Sequence, residues 1–169
     1  MTQLLLDSGA AVETRATGNY SALHCVAEFP TPSRMGGHVE VARLLLARGT
    51  GVDARAVRND QPLHCAAVAD NVEVAHVLLE NGAAVDARDR NNVTPLHYAT
   101  RTWHPPRGPP SKHRQNLFQV GRLLLEHGAV ADATDACNAT PLHWAAKSGS
   151  VDAVRVLLEC GADTPAMHM

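Results

Sequence analysis

The sequence predicts an all-α solenoid of stacked helix-turn-helix repeats, and three observations predict it. A leucine in a Leu-His step recurs as Leu23, Leu63, Leu96 and Leu142. A glycine closing an apolar run recurs as Gly9, Gly49, Gly82, Gly128 and Gly161, at spacings of 40, 33, 46 and 33 residues. Thirty-three is the basic period, and two copies carry 7 and 13 extra residues. The apolar residues are mostly Leu, Val and Ala, with only 4% aromatic, so the core is built from small packing units rather than rings. A unit of this size cannot bury its apolar face alone and must stack on neighbours.

The stretch from Asp135 to Gly161 is the cleanest copy. Thr140 suits an N-cap, and Pro141 fits the first helical position, where its missing N–H has no partner to lose. Leu142, Ala145 and Ala146 follow in a short helix that Gly149 can end in a left-handed conformation. The second helix places Val151, Val154, Leu157 and Leu158 on one face and stops at Gly161.

The other copies read in order. Residues 1–15 form a half repeat, the second helix of a unit whose first helix is missing. Leu4, Leu5 and Leu6 then have one neighbour rather than two, which implies either a fragment of a longer array or an end covered by another chain. Self-association through that uncapped half repeat follows from the second option. Full repeats run over about 16–55, 56–88, 89–134 and 135–163. The first is interrupted at 28–36 by a Pro- and Gly-rich loop, the third at 101–114 by a longer one. Residues 163–169 form a short tail.

Thr94-Pro95-Leu96-His97 and Thr140-Pro141-Leu142-His143, with the degenerate Gln61-Pro62-Leu63-His64 and Ser21-Ala22-Leu23-His24, closely resemble the ankyrin repeat. The glycine-terminated second helices, Leu44-Leu45-Leu46 to Gly49 and Val77-Leu78-Leu79 to Gly82, resemble it too. The resemblance implies an ankyrin-type solenoid with hairpin fingers and no catalytic role of its own. Two features depart from the family pattern. The hairpin glycine is replaced by Asn19, Asn59, Asn92 and Asn138, and Asn is the next residue best suited to positive φ. Asp70-Asn71 stands where a Gly-His pair is expected.

Composition narrows the remaining classes. A net charge of −2 gives no whole-molecule bias toward nucleic acid. Cys25, Cys65, Cys137 and Cys160 lack metal-type spacing, and the repeat-equivalent Cys25 and Cys65 read as small packing residues. The N-terminal residues lack a basic lead, and no run reaches the roughly 18 apolar residues that span a bilayer. An intracellular chain is expected, in the cytoplasm or the nucleus.

His24, His64, His97 and His143 invite a metal reading. One histidine per repeat makes a ladder at helix spacing, about 8–10 Å, whereas zinc ligands sit roughly 2 Å from one ion. The resemblance implies instead that these rings bind turn backbone. No metal or other cofactor is expected. No nucleophile elbow, phosphate loop or metalloprotease helix is present. Asp53, Asp86 and Asp132 recur after each second helix, which argues for service in the turns rather than catalysis.

A binding surface remains. The resemblance implies a concave face made by finger tips and first helices, recognising a protein or peptide. Its candidate contact residues are Tyr20, Phe29, Arg58, Asp60, Arg90, Arg101, Trp103 and Lys147, several of them types that dominate interface energies. The 101–114 insertion carries Arg101, Arg107, Lys112 and Arg114 without a carboxylate, while the rest of the chain has 11 basic against 17 acidic residues. Its prolines favour extended geometry and lower the ordering cost of binding. Tyr98 and Trp144, each following a repeat histidine, are expected to be scaffold. The alternative is an enzyme or small-molecule binder on the same scaffold, its pocket closed by the 28–36 and 101–114 loops and lined by Trp103, His104 and His113.

Overall fold

Each unit starts with a finger turn because asparagine accepts a backbone that most side chains refuse. Asn19, Asn59, Asn92 and Asn138 have φ of 62°, 65°, 57° and 57°, the left-handed region open to short polar side chains. The turns close through Ala16 N–H to Tyr20 O, Ala56 to Asp60, Asp89 to Val93 and Asp135 to Ala139, at 2.8–3.1 Å. Consecutive fingers are then stitched together: Val57 N–H donates to Gly18 O, Arg90 to Arg58 and Ala136 to Asn91, at 2.9, 2.9 and 2.8 Å. The computed structural model that shows this describes residues 15–28, 37–101 and 118–161. All of the expected half repeat except Arg15, nearly all of both insertions, and the tail lie outside these residues.

Eight α-helices follow from the finger turns among the described residues: α1 (Ala22–Glu28), α2 (Gly37–Ala47), α3 (Pro62–Ala69), α4 (Val72–Glu80), α5 (Pro95–Ala99), α6 (Gln119–Glu126), α7 (Pro141–Ser148) and α8 (Val151–Glu159). Odd helices form an inner row and even helices an outer one. Each inner helix packs on the next and on its own outer partner, and α2, α4 and α6 pack in series. Thr94 and Thr140 cap α5 and α7, with Pro95 and Pro141 in the first turn. Gly149 ends α7 at φ 69°. Asp70 ends α3 in the same left-handed region at φ 50°, and Asn71 caps α4 by accepting from Val74 N–H at 3.2 Å. The Asp70-Asn71 departure therefore preserves both functions of the turn.

The recurrent leucines form the expected spine. Leu23, Leu63 and Leu96 are sealed, and Leu142 is half-buried at the C-terminal end of the row. Burying one such side chain is worth about 1.5–3 kcal/mol. The face of α8 needs correction. Ala153, Val156 and Leu157 are its buried residues, whereas Val151 and Leu158 are 68% and 46% exposed. The equivalent residues of α4, namely Val74, Val77 and Leu78, are also buried. The small Ala153 hid this face from a reading that followed only large side chains. Cys25 also departs from expectation: it is exposed, while Cys65 is buried.

The repeat bearing the longer insertion has its own packing device. Phe118 stands where other repeats have Val39, Val72 and Val151, and it is fully buried ahead of α6. Its ring occupies the space where a Cβ on Gly121 would lie. Other repeats have Ala42, Ala75 and Val154 at that point. A larger residue and a smaller one have thus been exchanged together, which preserves the filled volume.

Candidate interaction surface

The repeat histidines join each inner helix to the following finger. Nδ1 of His24, His64 and His97 accepts the backbone N–H of Ser21, Gln61 and Thr94 at 3.2, 3.1 and 3.2 Å. The proton therefore sits on Nε2, which donates to the carbonyls of Asp60, Val93 and Ala139 at 3.1, 3.1 and 3.0 Å. Both ring nitrogens are used, as the resemblance implied. Burial lowers the pKa of all three imidazoles, against the opposing pull of those carbonyls. His143 repeats the Nδ1 bond, to Thr140 N–H at 3.2 Å, and is exposed. Among the described residues no group of three His, Cys, Asp or Glu side chains is placed to hold a metal ion.

The carboxylates are divided between scaffold and surface. Asp53 and Asp86 accept from Ala84 and Val130 N–H of the following unit, both at 3.1 Å, so they serve the connections. Asp89 Oδ1 accepts from Asn91 and Val93 N–H, and Asp135 Oδ1 from Cys137 and Ala139 N–H, at 2.7–2.9 Å. Their second oxygens accept from Tyr98 O–H and Trp144 indole N–H, each at 3.0 Å. The Asp135 carboxyl, which burial alone would push up, is held below its ordinary range by these donors. Burial, with the Asp89 contact, pushes the Tyr98 hydroxyl up to about 12. Tyr98 and Trp144 are thus tied to the finger carboxylates, consistent with a scaffold role.

Sequence reasoning missed these pairs, although a signal was present. Fingers beginning with Asp89 and Asp135 precede helices with an aromatic residue after the histidine. Fingers beginning with Ala16 and Ala56 precede helices with Cys25 and Cys65 there. Reading the copies against one another position by position shows the exchange. Asp70 was missed as well. Its Oδ1 accepts Val120 N–H at 3.0 Å, capping α6 across the repeat boundary. Burial raises its pKa, opposed by the Val120 and Gln119 N–H groups.

Six of the eight candidate contact residues fall within the described part, and Phe29 and Trp103 lie outside it. Tyr20, Arg58 and Asp60 come together in a cleft of about 150 Å³ with Glu28, Cys65, Val68 and Tyr98. Tyr20 O–H donates to Asp60 Oδ2 at 3.0 Å, so this pair spends part of its polar capacity between adjacent units. Arg90 is exposed on the third finger, and Lys147 is exposed near the end of α7. Arg101 lies 5.8 Å from the centroid of the Trp144 ring, in cation–π range. Tyr98 meets Trp144 edge-on at 5.9 Å, and His97 meets it at 5.5 Å. Arg90, its N–H bonded to Arg58 O, is on the finger next to the Tyr20 cleft, and Arg101 lies over the Trp144 ring that Tyr98 of that cleft meets.

Among the described residues, fingers and inner helices carry Arg58, Arg90, Arg101 and Lys147 against Glu28, Asp60, Asp89 and Asp135. Outer helices and the connections carry seven arginines against ten carboxylates. A larger cleft of about 530 Å³ opens on that outer side, between α6 and α8, lined by Arg122, Leu125, Val130, Val156 and Glu159 among others.

Paired helices in two rows, bridged by a finger ladder, define a helical repeat solenoid. The family model for ankyrin repeats (3 copies) matches residues 33–106 and 112–167, and the chain belongs to the ankyrin repeat family. Members of that family are in general protein-interaction modules. No curated protein matches this chain. Among the described residues no helix is long and apolar enough to cross a membrane.

Proposed function

We propose that this chain is a non-catalytic module that binds a protein or peptide across its finger tips, inner helices and the two insertions. The contact set is Tyr20, Phe29, Arg58, Asp60, Arg90, Arg101, Trp103 and Lys147. The observation that carries this reading is the common side shared by fingers and inner-helix ends: Arg58 and Asp60 of one finger line the same cleft as Glu28 and Val68 of α1 and α3. Exposed arginine beside half-buried aromatic rings is the composition that concentrates interface energy. The 150 Å³ of that cleft is below the roughly 300–1,000 Å³ of ordinary small-molecule sites, which favours side-chain docking over ligand capture.

Crosslinking in cell extract followed by mass spectrometry tests the reading, comparing the intact chain with one whose residues 101–114 are replaced by a short Gly-Ser linker. The replacement is expected to leave folding intact and to weaken partner recovery, with crosslinks on fingers and inner helices. Crosslinks confined to the outer helices, or recovery unchanged by the replacement, would remove the assigned surface.

A further inference from the structure

The inner-helix position six residues after the first helical residue is Glu28 in α1, Val68 in α3, Arg101 after α5 and Lys147 in α7. Glu28 and Val68 line the concave cleft together with finger residues. At the other end of the column, Ser148 Oγ donates to Thr100 O at 2.9 Å, which ties the end of α7 to the residue before Arg101. The column therefore runs along the groove from acidic through apolar to basic. Arg90 is exposed on the third finger, whose backbone is bonded to Arg58 O of the second.

The carboxylates nearest this basic half are already engaged. Asp89 and Asp135 each bind two backbone N–H groups and one side-chain donor. Trp144, held by Asp135, in turn supports the Arg101 guanidinium. A guanidinium held in this way loses less entropy when it binds a carboxylate, and its fork of donors matches both carboxylate oxygens.

We propose that the third and fourth repeats receive an acidic segment of a protein partner, with carboxylates meeting Arg90, Arg101 and Lys147. The proposal rests on the interaction-module reading and names the chemistry of the partner. The Tyr20 cleft sets the register, because it holds one arginine, Arg58, against Glu28 and Asp60 and so draws carboxylates less than the Arg101 and Lys147 end of the column. A peptide fits better than nucleic acid. Arg101 covers the Trp144 ring and Tyr98 and His97 meet it at the edge, so that indole is no free platform for a base. The outer helices and connections, with ten carboxylates against seven arginines, also oppose wrapping by a long polyanion.

The test is fluorescence anisotropy on the full chain with three labelled probes: a Gly/Ser dodecapeptide carrying four Glu, its Gln counterpart, and a single-stranded oligonucleotide of equal charge. The Glu peptide is expected to bind, more weakly as salt rises, and the Gln peptide to bind at least about tenfold less tightly. Arg101→Glu and Lys147→Glu should each weaken the Glu peptide by roughly tenfold or more, while Arg155→Glu on outer α8 leaves it unchanged. Circular dichroism of each variant separates misfolding from lost contact. Equal losses from Arg155→Glu, equal binding of the Glu and Gln peptides, or tighter binding of the oligonucleotide would each overturn the proposal. Partner crosslinks to fingers and inner helices alongside any of those results would sink the acidic-segment inference and leave the interaction-module reading standing. Crosslinks confined to the outer helices would sink both.

Discussion

The ring of Phe118 fills the space that a side chain on Gly121 would need. Each residue is the exception at its repeat position, and each single change is expected to cost more than the two together. Gly121→Ala is expected to destabilise the protein by about 1–3 kcal/mol through overpacking, despite the higher helix propensity of alanine. Phe118→Val alone should leave a cavity and also destabilise. The double variant recovers the arrangement of the second repeat, so its loss should fall well short of the two single losses combined. Urea unfolding of the four proteins measures the coupling. Simple additivity would show that the two positions do not share space.

Acidification is expected to weaken the finger joints. His24, His64 and His97 have folded pKa values lowered from the ordinary 6.5, so below that pH the unfolded chain takes up protons that the folded chain refuses. Stability is then fully present above about pH 6.5 and falls on further acidification, by up to about 1.4 kcal/mol per pH unit for each ring. Protonation would also place a donor on Nδ1 facing the N–H it now accepts. His97→Gln should lower stability at pH 7.5 by about 1–2 kcal/mol through its two lost bonds. It should also make the decline between pH 6.5 and 5 shallower. Asp70, whose pKa is raised, acts in the opposite sense but equally in both proteins. Parallel pH profiles for parent and variant would refute the assignment.

Much of this architecture was legible because repetition averages out local ambiguity. A single Pro-Leu-His step is weak evidence, but Leu23, Leu63, Leu96 and Leu142 in register required equivalent seats, and three of those seats are sealed. For the histidines, repetition argued only against a metal ladder, and their bonds to turn backbone were what the family resemblance implied. What escaped was whatever broke the repeat: Phe118 with Gly121, Asp70 capping α6, and the exchange of alanine and cysteine for aspartate and an aromatic ring. Asp70 caps α6 across a boundary between units, 50 residues away, while Phe118 with Gly121 and Asp89 with Tyr98 pair within one unit, where only a comparison of the copies shows the exchange. The surface assignment was less accessible still. Tyr20 and Asp60 were read as two independent contacts, and their bond to each other depends on how consecutive fingers are offset.

Asp135 is expected to matter more than its exposed finger suggests. It organises the turn through two backbone N–H bonds and fixes the Trp144 indole. Asp135→Ala should cost about 1–3 kcal/mol from these bonds together, and the freed indole should shift its emission to the red. Asp135→Asn retains an acceptor and should cost less. Emission measured in a Trp103→Phe background isolates Trp144. An unchanged spectrum in Asp135→Ala would mean that packing alone, rather than the carboxylate, holds the ring.

The finger asparagines separate two roles that glycine would merge. Asn59 adopts φ of 65° and also donates from Nδ2 to Arg88 O at 2.7 Å, while Asn19 does the same to Arg55 O at 2.8 Å. At the third finger the link to Thr134 O is made instead by the Arg88 guanidinium, at 2.9 Å. Glycine at 59 would keep the backbone and lose the link, so Asn59→Gly should cost about 0.5–1.5 kcal/mol. Asn59→Ala loses the link and adds about 1–2 kcal/mol for the left-handed conformation. At Asn92, whose neighbour supplies the link, Asn→Gly should be close to neutral. Chemical denaturation of the three variants decides whether the side chain or the backbone selects asparagine: equal losses at 59 and 92 on changing to glycine would assign the choice to the backbone and deny the inter-finger bond a stabilising role.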